Sequence, residues 1–189
     1  MNWMDLVSAV LGLTCVFLAG RRLVANFWVG YLYNIFLFAL FWHNALWASM
    51  AIQVVSFAIN ATGHWRWTHP STDEKEADGS LVVSGIRRGQ YPFYILALAA
   101  LFVSLYLILG HTDDSQPLMD AVCTSLILLA QWLSAQKKVE CWYVWLVVNV
   151  TTFILYVKAS LVFMPIVSCL YLANGIWSLV SWKKNEKNS

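Results

Sequence analysis

The chain reads as an all-α integral membrane protein of seven transmembrane helices, and three observations carry that expectation. Of 189 residues, 60% are hydrophobic and only 12% charged, against roughly 25% charged in ordinary soluble domains. Seven separate stretches are apolar for long enough to span a bilayer, which takes about 20 residues to cross ~30 Å of hydrocarbon. The basic residues gather in alternate connections, as they do where Lys and Arg are retained on the cytoplasmic side.

The first segment, 3–19, runs up to Gly20-Arg21-Arg22, and the second, 26–42, opens at Asn26-Phe27-Trp28 and closes at His43-Asn44. The third, 45–65, follows at once. Residues 66–90 form the longest polar stretch, with Pro70-Ser71-Thr72-Asp73-Glu74-Lys75-Glu76 at its heart. Such a composition buries little apolar surface, and it predicts a solvated cytoplasmic linker. The fourth segment, 92–110, is followed by 118–135, which ends before Gln136-Lys137-Lys138. The sixth, 141–157, and the seventh, 161–182, are separated by the short junction from Lys158 to Ser160. All seven are read as helices, because a spanning segment outside a closed barrel satisfies its backbone in lipid only as a helix.

Arg21, Arg22, Arg66, Lys75, Arg87, Arg88, Lys137, Lys138, Lys183, Lys184 and Lys187 fall on one side, and only Lys158 on the other, eleven against one. A helix miscounted early in the chain would scatter the later clusters over both sides. The asymmetry therefore supports seven spans, with the N-terminus outside and the C-terminus in the cytoplasm.

A formal charge of +2, held in short clusters rather than along one face, gives no footing for nucleic acid. The four cysteines, Cys15, Cys123, Cys141 and Cys169, show no CxxC or Cys/His spacing and are expected as reduced thiols with no metal. The opening Met1-Asn2-Trp3-Met4-Asp5 lacks the basic region of a cleaved signal. No GxxxxGK[ST], HExxH or GxSxG sequence occurs, so the expectation is a protein that is not an enzyme, with no catalytic residues and no cofactor.

An internal repeat organises the segments. Leu18-Ala19-Gly20-Arg21-Arg22 aligns with Ser134-Ala135-Gln136-Lys137-Lys138 at an offset of 116, which sets Tyr33 opposite Asn149. Thr62-Gly63-His64-Trp65 then aligns with Asn174-Gly175-Ile176-Trp177 once four residues are removed from the second copy. Helices one to three match five to seven, with helix four as a spacer. The expected domains are a first three-helix repeat over 1–66, the linker and connecting helix over 67–117, and a second repeat with the tail over 118–189. Displacement by four helices makes the repeats parallel, an arrangement that places substrate between the two halves.

No Lys or Arg lies well inside a span, which leaves proton relays and ion coupling without support. Neutral polar groups are plentiful. Asn34 and Asn149 sit at the centres of helices two and six; Gln53 and Asn60 are seven apart on one face of helix three, and Thr124 and Gln131 form a like pair on helix five. Trp145, Asn149, Thr152 and Tyr156 stripe helix six, while Tyr171, Asn174 and Trp177 stripe helix seven. Bridging of neighbouring helices at ~0.6 kcal/mol per polar pair would account for any one of these amides. Together they suit an uncharged or cationic ring compound, held by stacking and cation–π attraction of ~2 kcal/mol when desolvated. Trp65, Trp67, Trp142 and Trp182 lie near the inner boundary, where an aromatic belt also explains them.

Ala130-Gln131-Trp132, Lys137-Lys138-Val139-Glu140, Trp145-Leu146-Val147-Val148-Asn149 and Asn174-Gly175-Ile176-Trp177 resemble the PnuC family of bacterial vitamin-precursor transporters, over nearly the whole chain. Trp47-Ala48-Ser49 before Gln53 is similar as well. The resemblance implies a SWEET-like fold and facilitated uptake of unphosphorylated nicotinamide riboside, trapped afterwards by a cytoplasmic kinase. Thiamine is the alternative cargo, and a homo-oligomer in the lipid bilayer is compatible with it. The expected binding residues are Gln53, Asn60, Trp65, Gln131, Asn149, Asn174 and Trp177, with Tyr33, Asn34, Trp145 and Tyr171 as further candidates. A non-transporting scaffold or sensor, in which the amides only pack helices, is the reading from another class.

Overall fold

The structure, a computed structural model, describes residues 3–43, 47–76, 79–111, 117–158 and 163–186. Seven α-helices run through them: α1 (Trp3–Gly20), α2 (Ala25–His43), α3 (Trp47–Thr68), α4 (Tyr91–Leu109), α5 (Pro117–Ala135), α6 (Cys141–Lys158) and α7 (Phe163–Glu186). Each expected segment is one helix. The junctions 44–46 and 159–162 and the terminal Lys187, all used in the sequence reading, lie outside the described residues. Among those described, α2, the stretch Arg88–Leu109 and α5 are long and apolar enough to cross a membrane.

Proline opens α4 in its first turn, where its missing N–H costs nothing. The helix ends at α1 and α5 are alike in detail. Arg22 and Lys137 each take a left-handed conformation, with φ of 60° and 55°. Leu23 N donates to Leu18 O at 3.0 Å and Arg22 N to Ala19 O at 2.9 Å. Lys138 N donates to Leu133 O and Lys137 N to Ser134 O, both at 2.9 Å. This 6→1 and 5→2 pair is the Schellman ending, which uses the last helical carbonyls. The two sets of bonds coincide at an offset of 115, not 116. One residue of register moves Asn34, rather than Tyr33, opposite Asn149.

The helices close a ring. α1 packs against α2 and α7, α2 against α3, α3 against α5, α5 against α6, and α6 against α7. α4 stands outside that ring, along α5, and exposes Phe93, Ile95 and Leu96. An apolar outer face of this kind is what a bilayer solvates. Small residues let the ring helices meet: a Cβ on Gly20 of α1 would collide with Ser178 of α7, and one on Gly63 of α3 would stand 2.9 Å from Cβ of Ala135 on α5. Gly20 and Ala135, and Gly63 and Ser178, are again 115 apart. At both crossings a small residue lets two helix backbones approach closely.

The basic end of the bundle differs from the expected solvated one. Trp67, Trp142 and Trp182 are buried, with ring centroids 6.0 Å apart for Trp67–Trp182 and 5.5 Å for Trp142–Trp182. They are a packed cluster, not a belt, and Trp182 Nε1 donates to Gly20 O at 3.0 Å. The linker is only partly solvated as well. Leu81 and Val83 are 2% and 1% exposed and join the same cluster. Their apolar side chains were outweighed in the composition by the charged run before them, which the structure leaves exposed from Ser71 to Lys75.

Candidate functional site

A cavity of about 550 Å³ lies inside the ring, within the range of small-molecule sites. All six ring helices line it, α4 contributing nothing. The lining follows the helical period, so that each helix turns one stripe inward. On α2 the stripe includes Gly30, Tyr33, Asn34 and Leu37; on α6 it includes Trp145, Val148, Asn149 and Thr152. Every lining residue of α5, α6 and α7 except Ala135 has another lining residue 115 positions earlier. Among the described residues, no Lys, Arg, His, Asp or Glu lines it.

Four of the expected binding residues meet here: Gln53 and Asn60 from α3, Gln131 from α5 and Asn149 from α6. The further candidates Tyr33, Asn34, Trp145 and Tyr171 line it too. Asn34 and Asn149 are each 8% exposed, and Asn34 donates Nδ2 to Gly30 O at 2.8 Å, one turn back. Asn60 donates Nδ2 to Phe27 O at 2.9 Å across to α2. Gly30 makes room for it, since a Cβ there would lie 2.8 Å from Asn60 Oδ1. Gln131 Oε1 is buried without a hydrogen-bond partner, an orphan acceptor of the kind a ligand donor satisfies.

Trp65, Trp177 and Asn174 are not brought to the cavity. Trp65 is 65% exposed and stacks on His69 at 3.9 Å. Trp177 is about half exposed, with the Arg21 guanidinium 5.4 Å from its ring. Asn174 donates Nδ2 to Val16 O at 3.3 Å, a bond between α7 and α1. Of the stripe drawn on α7, Tyr171 lines the cavity while Asn174 and Trp177 do not. The inward face of α7 carries Val167, Ser168 and Tyr171.

The sequence reading missed Trp142 as a lining residue. It lines the cavity from the first turn of α6, and its Nε1, like that of Trp67, is buried without a partner. Its place 115 residues after Phe27, also in the lining, becomes a signal only once the structure gives that offset. Among the described residues no group of His, Cys, Asp and Glu could hold a metal ion.

A helical ring around a charge-free, amide-rich chamber, with an apolar outer surface, defines a multi-pass membrane transporter of small solutes. The chain belongs to the nicotinamide mononucleotide transporter family, the PnuC family, whose model matches residues 2–184. It is similar to the nicotinamide riboside transporter PnuC of Escherichia coli, at 25% identity over 82% of this chain and 74% of that protein. The PnuC of Neisseria mucosa is 26% identical over 98% of this chain and 74% of its own length. The riboflavin/roseoflavin transporter RibM of Streptomyces davaonensis is 27% identical, over 95% of this chain and 84% of that protein. A crystal structure of the vitamin B3 transporter PnuC has the same fold, with a TM-score of 0.77 at 21% identity, over 98% of this chain and 83% of that one.

Proposed function

We propose that the chain carries an unphosphorylated vitamin precursor with a cationic aromatic ring across the inner membrane, with nicotinamide riboside as the first candidate. The observation that carries this reading is the lining, rich in amides, hydroxyls and aromatic rings and free of charge. Moving an ion out of water without a counter-charge costs several kcal/mol. A phosphate dianion finds no cation here, which favours the riboside over the mononucleotide of the family's name. A pyridinium ring is treated differently, because Trp142, Trp145 and Tyr33 offer faces that attract a desolvated cation by ~2 kcal/mol. Gln131 Oε1 accepts from a substrate N–H, and Asn34, Gln53 and Asn149 bond its hydroxyls. Asn60 stays tied to Phe27 O and positions the wall beside them.

The transport step we infer is a rocking of two parallel three-helix repeats, α1–α3 and α5–α7, with α4 as the connector. The common offset of 115 in turn hydrogen bonds, helix crossings and cavity lining supports this division. So does the order of neighbours, which reads the same when the halves are exchanged. All seven helices cross the bilayer, with the N-terminus outside. With no carboxylate, imidazole, ammonium or guanidinium among the lining residues described to couple an ion, the carrier only equilibrates its substrate, and a cytoplasmic kinase supplies accumulation.

Uptake of labelled nicotinamide riboside into enzyme-free proteoliposomes should stop at equal concentrations inside and out. Accumulation driven by a sodium or proton gradient would sink the passive mechanism. A tryptophan-quenching titration with nicotinamide riboside, thiamine and riboflavin ranks the cargoes. Quenching by none of them would favour a scaffold instead.

A further inference from the structure

We propose that residues 81–86 are the inner gate of this carrier, a strap that seals the cavity floor and must leave the α5–α6 turn for substrate to pass. The proposal rests on the carrier reading and concerns how its site is opened.

The strap is held from several directions. Ser84 N donates to Lys137 O at 3.3 Å and Val139 N to Ser84 O at 3.1 Å, a short parallel pairing of the strap with the α5–α6 turn. Lys137 Nζ donates to Leu81 O and stands 5.1 Å from the centroid of Trp67. Lys138 Nζ donates to Ser84 Oγ at 2.8 Å and to Gly85 O at 3.3 Å. Glu140 Oε1 accepts from Ile86 N at 2.8 Å and from the Tyr91 hydroxyl at 3.3 Å. The three charged residues of one turn thus grip one segment.

Its position makes the grip consequential. Trp142 lines the cavity and packs in one buried cluster with Leu81, Val83, Trp67 and Trp182. Trp67 ends α3, while Trp142 and Trp182 belong to α6 and α7. Leu81 and Val83 therefore pack among helices of the two halves in the cluster that holds Trp142, and neither lines the cavity itself. A solute leaving towards the basic end has to pass that cluster. The matching turn after α1 has the same backbone hydrogen bonds, yet among the described residues no segment is bonded across it. The device is confined to one of the two turns, as a gate is and a general feature of helix ends is not.

Residues paired across a ladder lie ~4.8 Å apart, inside the range a disulfide spans. The test is Ser84→Cys with Lys138→Cys in a chain whose four native cysteines are replaced, reconstituted and assayed for uptake of nicotinamide riboside. Oxidation should cut uptake at least tenfold while quenching by the substrate persists, and reductant should restore uptake. Equal uptake by the oxidised and reduced forms overturns the gate. No uptake by the unmodified chain overturns the carrier reading itself, a separate failure. A second measurement needs no cross-link. Cys141 is fully buried in the same cluster, and Leu81→Ala with Val83→Ala should raise its labelling rate by a maleimide several-fold, in a chain keeping only that cysteine. An unchanged rate also counts against the strap as the seal.

Discussion

Gly20 of α1 and Ser178 of α7 meet where the beginning and end of the chain cross, and the serine occupies the space that a side chain on residue 20 would need. Ser178 is fully buried. Gly20→Val should therefore lower stability by about 1–3 kcal/mol, the usual cost of overpacking. Ser178→Gly in the same chain should recover part of it. Thermal unfolding in detergent, followed by size-exclusion chromatography, measures both, and an unchanged midpoint in Gly20→Val would remove this contact from the account of the ring.

Asn34 and Asn149 are expected to share the substrate. Leucine at either position keeps the bulk and removes the hydrogen bonds, so affinity should fall about tenfold, or ~1.4 kcal/mol. Trp65→Leu should leave affinity unchanged, because that ring faces outward. The same quenching titration reads all three variants; a loss at Trp65 equal to that at Asn149 would contradict the cavity as drawn.

Gly30→Ala tests how Asn60 is placed. The added Cβ would lie 2.9 Å from Asn60 Nδ2 and push it off Phe27 O. Binding should weaken several-fold, and combining the change with Asn60→Ala should add little, since the two act through one contact. Additive losses in a double-mutant cycle would show that they act separately.

Trp182→Phe and Trp142→Phe should behave differently although both rings are buried. The first removes a bond to Gly20 O and should cost stability of about 0.5–1.5 kcal/mol. The second removes an N–H that has no partner in the protein. It should cost less stability than the first, by the hydrogen bond it does not break, and it alone should lower substrate affinity.

Part of the cavity lining was legible in the residues. Gln53, Asn60, Gln131 and Asn149 announced themselves as amides within apolar runs, where an unpaired polar group is expensive. Trp65 and Trp177 misled because a tryptophan near a span end serves an interfacial belt as readily as a pocket. Asn174 misled for a related reason. Its neighbours repeat at a helical spacing, yet spacing says only which residues share a face and not which way that face turns. For the repeat we propose, the sequence leaves the offset open, because apolar helices align almost equally well at 115 and 116. The hydrogen bonds around Arg22 and Lys137 separate the two registers, and with them the partner of Asn149.

The sequence by itself determined that the chain enters a membrane, where its helices begin and end, and which end carries the positive charge. Those properties depend on transfer free energy, length and charge, all of which are local. Only the tertiary structure decided that α4 stands outside the ring, that Trp142 lines the cavity while Trp65 does not, and that Leu81 and Val83 are buried in one cluster with Trp142. Each of these depends on how helices rotate and pack against partners distant in the chain. The energy that sets such rotations comes from close contacts such as Gly20 with Ser178, which no single segment contains.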